Sequence, residues 1–560
     1  MEKIWLREYP EGIPAEVDVH EYSSLKEFFD KSCQRFRDLP AYGNMGTNIT
    51  YAELDRASRD LGAYLQSVLG LRKGERVAVM MPNLLQYPVA LFGILRAGLT
   101  VVNVNPLYTA RELEHQLNDS GASAIVVLEN FAHTVQEVID RTQVKTVITT
   151  QAGDMFHLLK SLLTNVVVKY VKKAVPDWNI PAAADFKAAL HAGRDYALEE
   201  VPLDHEDVAF LQYTGGTTGI AKGAILTHGN MVANVQQTAA WLAVGLEDGV
   251  EIAIQPLPLY HIYALTLSLV LMKIGALSIL ITNPRDVPAL VDELKRSKFT
   301  VIFGVNTLYN TLINAPGFAE LSSNAIKLTS AGGMAVQRAV AERWKQAMGV
   351  PIVEGYGLTE TSPVVTCNPV NIKDWTGTIG LPIPSTEVAI LDDAGRELAL
   401  GQEGEICTRG PQVTKGYWNR PDETAKVFTE DGWFRTGDMG FINEKGYVKL
   451  TDRKKDMILV SGFNVYPNEV EDIVMMHPGV LEVAAIGVPS DKSGEAVKVV
   501  VVKKDPNLTA DELTQHCKKH LTGYKVPKIV EFRTEPLPKT NIGKVLRRLL
   551  RDQTSARHAA

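Results

Sequence analysis

Apolar positions in the first part of the chain follow two rhythms. Residues 76–81 form a short β-rich run that Pro82 stops. Apolar positions at helical spacing follow over 88–97, end at Gly98, and give way to a second β-rich run from Val101. Runs at 124–128 and 144–149 repeat the pattern, with a helix-like stretch between them. Continuous apolar runs alternating with helical segments predict a mostly parallel sheet covered by helices, since strands buried on both faces show no polar alternation.

From 380 to 416 the texture shifts to short strands and turns, with strands at 387–391 and 405–409 and a turn at 392–395. A boundary falls near 451–455. Beyond it, Val470, Ile473 and Val474 lie at helical spacing before Pro478-Gly479, and 480–488 and 497–502 are β-rich. Thr509 with Glu512 predicts a capping box for a further helix. The expected fold class is therefore α/β and α+β, multidomain. A large N-terminal domain, 1–451, carries layered mostly parallel sheets and a β-rich subdomain near 380–451. A small α+β domain, 452–560, follows. No repeat period emerges, which excludes a solenoid.

The length, 560 residues, fits several units of roughly 150 residues each. Hydrophobic content of 45% and charged content of 22% describe a packed globular chain. With 58 basic against 65 acidic residues, the net charge of -7 argues against nucleic acid as a partner. Cys33, Cys367, Cys407 and Cys517 are too scattered for a disulfide framework or a metal knuckle. Residues 1–17 hold prolines and acids where a signal peptide needs an apolar run, and the apolar run 262–272 is too short to span a bilayer. The expectation is a cytoplasmic protein. Segment 158–176, LLKSLLTNVVVKYVKKAVP, mixes apolar residues with four lysines. It reads as a buried or half-buried element with solvated lysines; a surface touching anionic lipid and a partner interface are the alternatives.

The chemistry concentrates in a few motifs. Residues 213–224 read YTGGTTGIAKGA. Glycines permit close backbone approach, and backbone N–H groups, the hydroxyls of Thr214, Thr217 and Thr218, and Lys222 together suit a polyphosphate. Ala221 and Gly223 flank Lys222, so the ending of a Walker A loop is absent. Further on stand Ala331-Gly332-Gly333, then EGYGLTE at 354–360, TGD at 436–438, DRKKD at 452–456, SGFNVYP from Ser461, and PKTNIGKVLRR at 538–548. An aromatic face such as Tyr356 suits a base, and a carboxylate such as Glu360 suits a hard cation. His261 lies in PLPLYHIYAL, where a core histidine is the plain alternative.

In these motifs, and along essentially its whole length, the chain resembles the adenylate-forming superfamily, most closely its bacterial long-chain fatty-acid–CoA ligases. The resemblance implies activation of a fatty acid by ATP to an acyl-adenylate, then transfer to CoA with release of AMP. It implies a nucleotide site built from Tyr213, Thr214, Gly215, Gly216, Thr217, Thr218, Gly219, Lys222, Gly333, Glu354, Gly355, Tyr356, Thr359, Asp438 and Arg453. Within it, Tyr356 faces adenine, Thr359 the α-phosphate and Asp438 the ribose. Glu360, with Thr214, would serve Mg²⁺. Lys544, Lys222, Thr359 and His261 are the implied catalytic residues, Lys455 the hinge and Gly462 a point of passage for CoA. Leu265 stands where some relatives carry a tryptophan gate, so no gate is assigned. A homodimer and peripheral membrane contact are further family-level expectations. A medium-chain or aryl carboxylate ligase, an acyl-AMP ligase serving a carrier protein, and a non-catalytic lipid- or nucleotide-binding protein are the competing readings. Apolar residues at 262–272 and 301–305 suit either an acyl tunnel or ordinary core.

Overall fold

The computed structural model describes residues 2–214, 221–321, 325–490 and 492–559. Two sheets carry the N-terminal part. The first has seven strands in the spatial order Ala184–Asp185, Thr146–Thr150, Ala122–Leu128, Arg76–Met80, Thr100–Asn103, Val208–Thr214 and Lys222–Thr227. All neighbours are parallel except the last pair, an antiparallel hairpin. The second has nine strands, parallel from Ile352–Gly357 through Leu328–Ala331, Val301–Gly304, Ile252–Gln255 and Leu277–Leu280 to Pro40–Asn44.

Helices Gln86–Arg96, His228–Leu242 and Ile262–Lys273 join both sheets in one core. Ile262–Lys273 is apolar around nearly its whole circumference, which explains the run that was too short for a membrane span: it is a buried core helix. Among the described residues no helix is long and apolar enough to cross a membrane.

Four antiparallel strands follow, Glu387–Leu391, Gly404–Arg409, Phe434–Ile442 and Val448–Arg453. The C-terminal part is a five-stranded mixed sheet with helices Pro467–Met475, Ala510–His520 and Arg547–Ala559. The predicted Thr509–Glu512 capping box is present in full. This smaller part packs on helices Asn306–Ile313 and Arg338–Met348. There Asn310 Nδ2 donates to the Leu481 carbonyl at 2.9 Å, and the Arg338 amide to Asp472 Oδ1 at 3.0 Å.

The reading of 158–176 as a buried or half-buried element is corrected. Helix Leu158–Val166, continued by a π-helical turn Val167–Val171, turns its apolar side outward. The reason lies on its inner face, where Ser161 and Asn165 hydrogen-bond to the body of the protein.

Candidate active site

A cavity of about 1930 Å³ opens where the small C-terminal part meets the two N-terminal sheets. The hairpin Val208–Thr214/Lys222–Thr227 brings the end of its first strand to it, with Thr214 directly opposite Lys222. Gly215, Gly216, Thr217, Thr218 and Gly219 belong to the segment joining these strands and lie outside the described residues. Tyr213 and Thr214 line the cavity, but the Tyr213 hydroxyl is already committed, donating to Asp119 Oδ2 at 2.7 Å. Lys222 sits beside the cavity, outside its lining. Its ammonium pairs with Glu423 and lies 5.3 Å from the Tyr417 ring centre. Lys222 and then Lys426 hold the Glu423 carboxyl down at about 2. Tyr417 also donates its hydroxyl to Glu360 Oε1 at 2.6 Å, so one ring bridges the lysine and the carboxylate.

Strand Ile352–Gly357 and the 3₁₀ turn Thr359–Thr361 bring Glu354, Gly355, Tyr356, Thr359 and Glu360 to one wall. The Tyr356 hydroxyl donates to Asp438 Oδ2 at 2.7 Å. Asp438 and Arg453 are cross-strand partners, with Arg453 Nε 3.6 Å from Asp438 Oδ1. Glu354 supports the backbone, because its Oε1 accepts from the Val336 amide at 3.1 Å and fixes the turn after Gly332-Gly333. Burial raises its pKa to about 8, so it is mostly protonated at neutral pH.

Lys544 enters from the C-terminal part. Burial, then the positive charges of Arg453, Arg547 and Lys455, push its pKa down to about 7, against the pull of Asp438. His261 lines the same cavity; burial first, and then the charge of Lys544, lower it to about 4, leaving a neutral imidazole at physiological pH. Its Nδ1 accepts from the Tyr263 amide at 3.3 Å and caps helix Ile262–Lys273. Lys455 is lowered to about 8 by burial and by Arg453.

The model of the AMP-binding enzyme family matches residues 29–418, and that of the AMP-binding enzyme C-terminal domain matches 469–544. The chain belongs to the AMP-binding enzyme family. It is 56% identical over 554 residues to a long-chain-fatty-acid–CoA ligase of Escherichia coli O157:H7, covering 99% of this chain and 98% of the relative. A long-chain-fatty-acid–CoA ligase of Haemophilus influenzae is 52% identical over 561 residues, covering 100% and 99%. Among solved structures, the anthranilate CoA ligase AuaEII in complex with anthranoyl-AMP superposes with a TM-score of 0.86 at 23% identity. It covers 97% of this chain and all of its own, a likeness of fold.

In this AMP-binding enzyme the cavity gathers Tyr213, Thr214, His261, Gly333, Glu354, Gly355, Tyr356, Thr359, Glu360, Asp438, Arg453, Lys455 and Lys544. Two residues of the sequence reading stand apart. Lys222 is held at the rim by Glu423, and Gly462 lies outside the lining, at a hairpin tip between Ile458–Val460 and Phe463–Val465 with φ of +85°. Other residues escaped the sequence reading. Tyr417 and Glu423 meet Glu360 and Lys222 only through the fold, and no local motif marks them. Thr238, Trp241 and Leu242, from helix His228–Leu242, join Ile262, Leu267 and Phe303 in the cavity lining. Of the two apolar runs considered for a tunnel, Ile262, Tyr263, Leu267 and Phe303 line the cavity, while Leu265, Leu269 and Val270 are core. Among the described residues no cluster of three or more His, Cys, Asp or Glu could cage a metal. Glu360, one of the carboxylates in the lining, fits a hard cation whose other ligands are phosphate oxygens.

Proposed function

We propose that this chain is a long-chain fatty-acid–CoA ligase that releases AMP. The observation that carries the proposal is one cavity lined by Lys544, His261, Tyr356 and Asp438 together with the apolar side chains Trp241, Leu242, Ile262, Leu267 and Phe303, which on this reading form the apolar arm that receives the acyl chain. A carboxylate oxygen of the fatty acid attacks the α-phosphorus of ATP, the bond to the β-phosphate oxygen breaks, and pyrophosphate leaves. Lys544, between two anions, offsets their repulsion and the charge developing at phosphorus. Lys222 exchanges Glu423 for the departing phosphates, Thr359 contacts the α-phosphate, and neutral His261 orients the carboxylate without adding a second cation. Tyr356 and the backbone at Gly333 flank adenine; Asp438 and Arg453 hold the ribose. Mg²⁺ bound through Glu360, with Thr214 beside it, would neutralise triphosphate charge.

The segment 452–560 then acts as a lid that turns about Lys455, withdraws Lys544 and brings Gly462 to the path of CoA. The thiol sulfur attacks the adenylate carbonyl, its proton passes to solvent and AMP departs. Fatty acid, ATP and CoA are the small-molecule partners. A cytoplasmic homodimer in peripheral contact with the inner face of a membrane completes the proposal.

The test is AMP and acyl-CoA production by purified protein with Mg²⁺ and CoA, across acids from six to eighteen carbons and an aryl acid. Preference for fourteen to eighteen carbons is expected; preference for the aryl or six-carbon acid would overturn the substrate assignment. Lys544→Ala is expected to lower adenylate formation by more than about a hundredfold while sparing thioester formation from supplied acyl-adenylate. Equal loss in both steps would remove Lys544 from its role.

A further inference from the structure

The helix Leu158–Val166 with its continuation Val167–Val171 inverts the usual amphipathic arrangement. A surface helix buries its apolar stripe and offers polar residues to water. Here the inward positions of the first turns are polar, and only Val168, further on, packs against the core. Ser161 is buried and accepts from Lys187 Nζ at 3.1 Å; Asn165 accepts from the Gly153 amide at 2.7 Å and donates to Gln151 Oε1 at 2.9 Å. Lys160 reaches back to the Met45 carbonyl and to Thr47 Oγ1 at 2.9 Å. The outward positions are Leu158, Leu159, Leu162, Leu163, Val166 and Tyr170, and Leu159 keeps 82% of its surface exposed. Polar anchoring of the inner face holds this apolar face in the open, where it bears the cost of contact with water.

Charge selects the occupant. From 155 to 176 the sequence contains no Asp or Glu, although the whole chain carries a net charge of -7. Lys172 and Lys173 are exposed at the end of the apolar face. Two carboxylates beside the segment are buried and engaged, with Lys187 3.4 Å from Asp154 and Lys169 3.9 Å from Glu129, and the exposed Asp177 lies just beyond it. Two copies meeting face to face would bring four lysines, Lys172 and Lys173 of each, together with Asp177 as the one exposed acid adjoining the segment in each copy, a surplus of positive charge. An anionic bilayer offers acyl chains to the leucines and headgroup phosphates to the lysines at once.

We infer that 158–173 is an interfacial docking element that lays its leucine face into an anionic lipid surface. It deepens the peripheral membrane contact proposed above by naming the element and the lipid charge, and it is independent of the substrate assignment. Flotation of the purified full-length chain, without ATP, CoA or fatty acid, tests it on vesicles of phosphatidylethanolamine with a quarter phosphatidylglycerol. Vesicles of phosphatidylcholine alone are the neutral arm. The wild type is expected to float with the anionic vesicles and far less with the neutral ones. Leu159→Glu with Leu163→Glu is expected to lower binding by more than about tenfold, with thermal midpoint and turnover of a soluble medium-chain acid unchanged. Lys172→Glu with Lys173→Glu is expected to lower binding to anionic vesicles only, by about fivefold or more per lysine. A wild type that stays in the soluble fraction, or either pair floating as well as the wild type, would overturn the inference. So would a wild-type dimer that the glutamate pair splits without any vesicle binding, which would make this face a self-association surface. Because no substrate is present, failure of the ligase assay leaves the flotation result standing, and the reverse also holds.

Discussion

Lys544 is poised at the end of a turn that only a glycine closes. The Thr540 amide donates to the Lys544 carbonyl at 2.7 Å, the Lys544 amide donates to Thr540 Oγ1 at 3.1 Å, and Gly543 between them adopts φ of +84°. A Cβ on Gly543 would meet Thr307 Oγ1 at 2.5 Å, so the turn and its docking point exclude a side chain together. With its pKa lowered to about 7 by burial and neighbouring cations, the lysine is largely neutral at about pH 8 in the free enzyme. Anionic substrates favour the charged form and raise that pKa. Binding at about pH 8 should therefore take up close to one proton, and at about pH 6, where the lysine is already charged, almost none. Calorimetry in buffers of different ionisation enthalpy measures this directly; Lys544→Ala should remove most of the uptake, leaving at most the part that Lys455, lowered to about 8, can supply, and an undiminished uptake in that variant would assign the proton elsewhere. The lysine was legible from its motif. Its depressed pKa was not, because Arg453, Lys455 and Arg547 converge on it only in the folded chain.

At the scale of elements, the parallel strands and their helices were legible because apolar runs and helical spacing are local. The run at 76–81 became strand Arg76–Met80, and 88–97 became helix Gln86–Arg96. Which face of an element is buried is not local. The composition of 158–176 resembles a half-buried helix, and only the polar anchors at Ser161 and Asn165 decide that its leucines face outward. The same limit hid the apolar part of the cavity lining: Leu267 belongs to it while Leu265, on the same helix, is core. Substitution at Leu267 tests the arm. Each methylene denied entry costs about 0.8 kcal/mol. Leu267→Phe, which fills part of the arm, should lower kcat/KM for a sixteen-carbon acid more than about tenfold and leave an eight-carbon acid within about twofold. A uniform loss across chain lengths, or a lowered thermal midpoint, would indicate overpacking of the helix instead.

For the whole molecule, the question is what holds the C-terminal part over the cavity. Thr307 Oγ1 donates to the Gly543 carbonyl at 3.0 Å and Asn310 Nδ2 to the Leu481 carbonyl at 2.9 Å, both from helix Asn306–Ile313. Both residues line the cavity, but the hydrogen bonds they donate go to the Gly543 and Leu481 carbonyls and not to Tyr356 or Asp438, so their expected contribution to chemistry runs through the position of the C-terminal part. If 452–560 turns about Lys455 between the two half-reactions, these bonds stabilise the arrangement that delivers Lys544 and must break before CoA can act. Each contributes about 1 kcal/mol, or roughly fivefold in the balance between two arrangements. Thr307→Ala with Asn310→Ala should then slow adenylate formation by about tenfold or more, while thioester formation from supplied acyl-adenylate stays level or speeds up. Single-turnover measurement of each half-reaction separates these outcomes. Opposite responses of the two steps would be the mark of a turning lid, since a variant that merely loosened the fold would slow both.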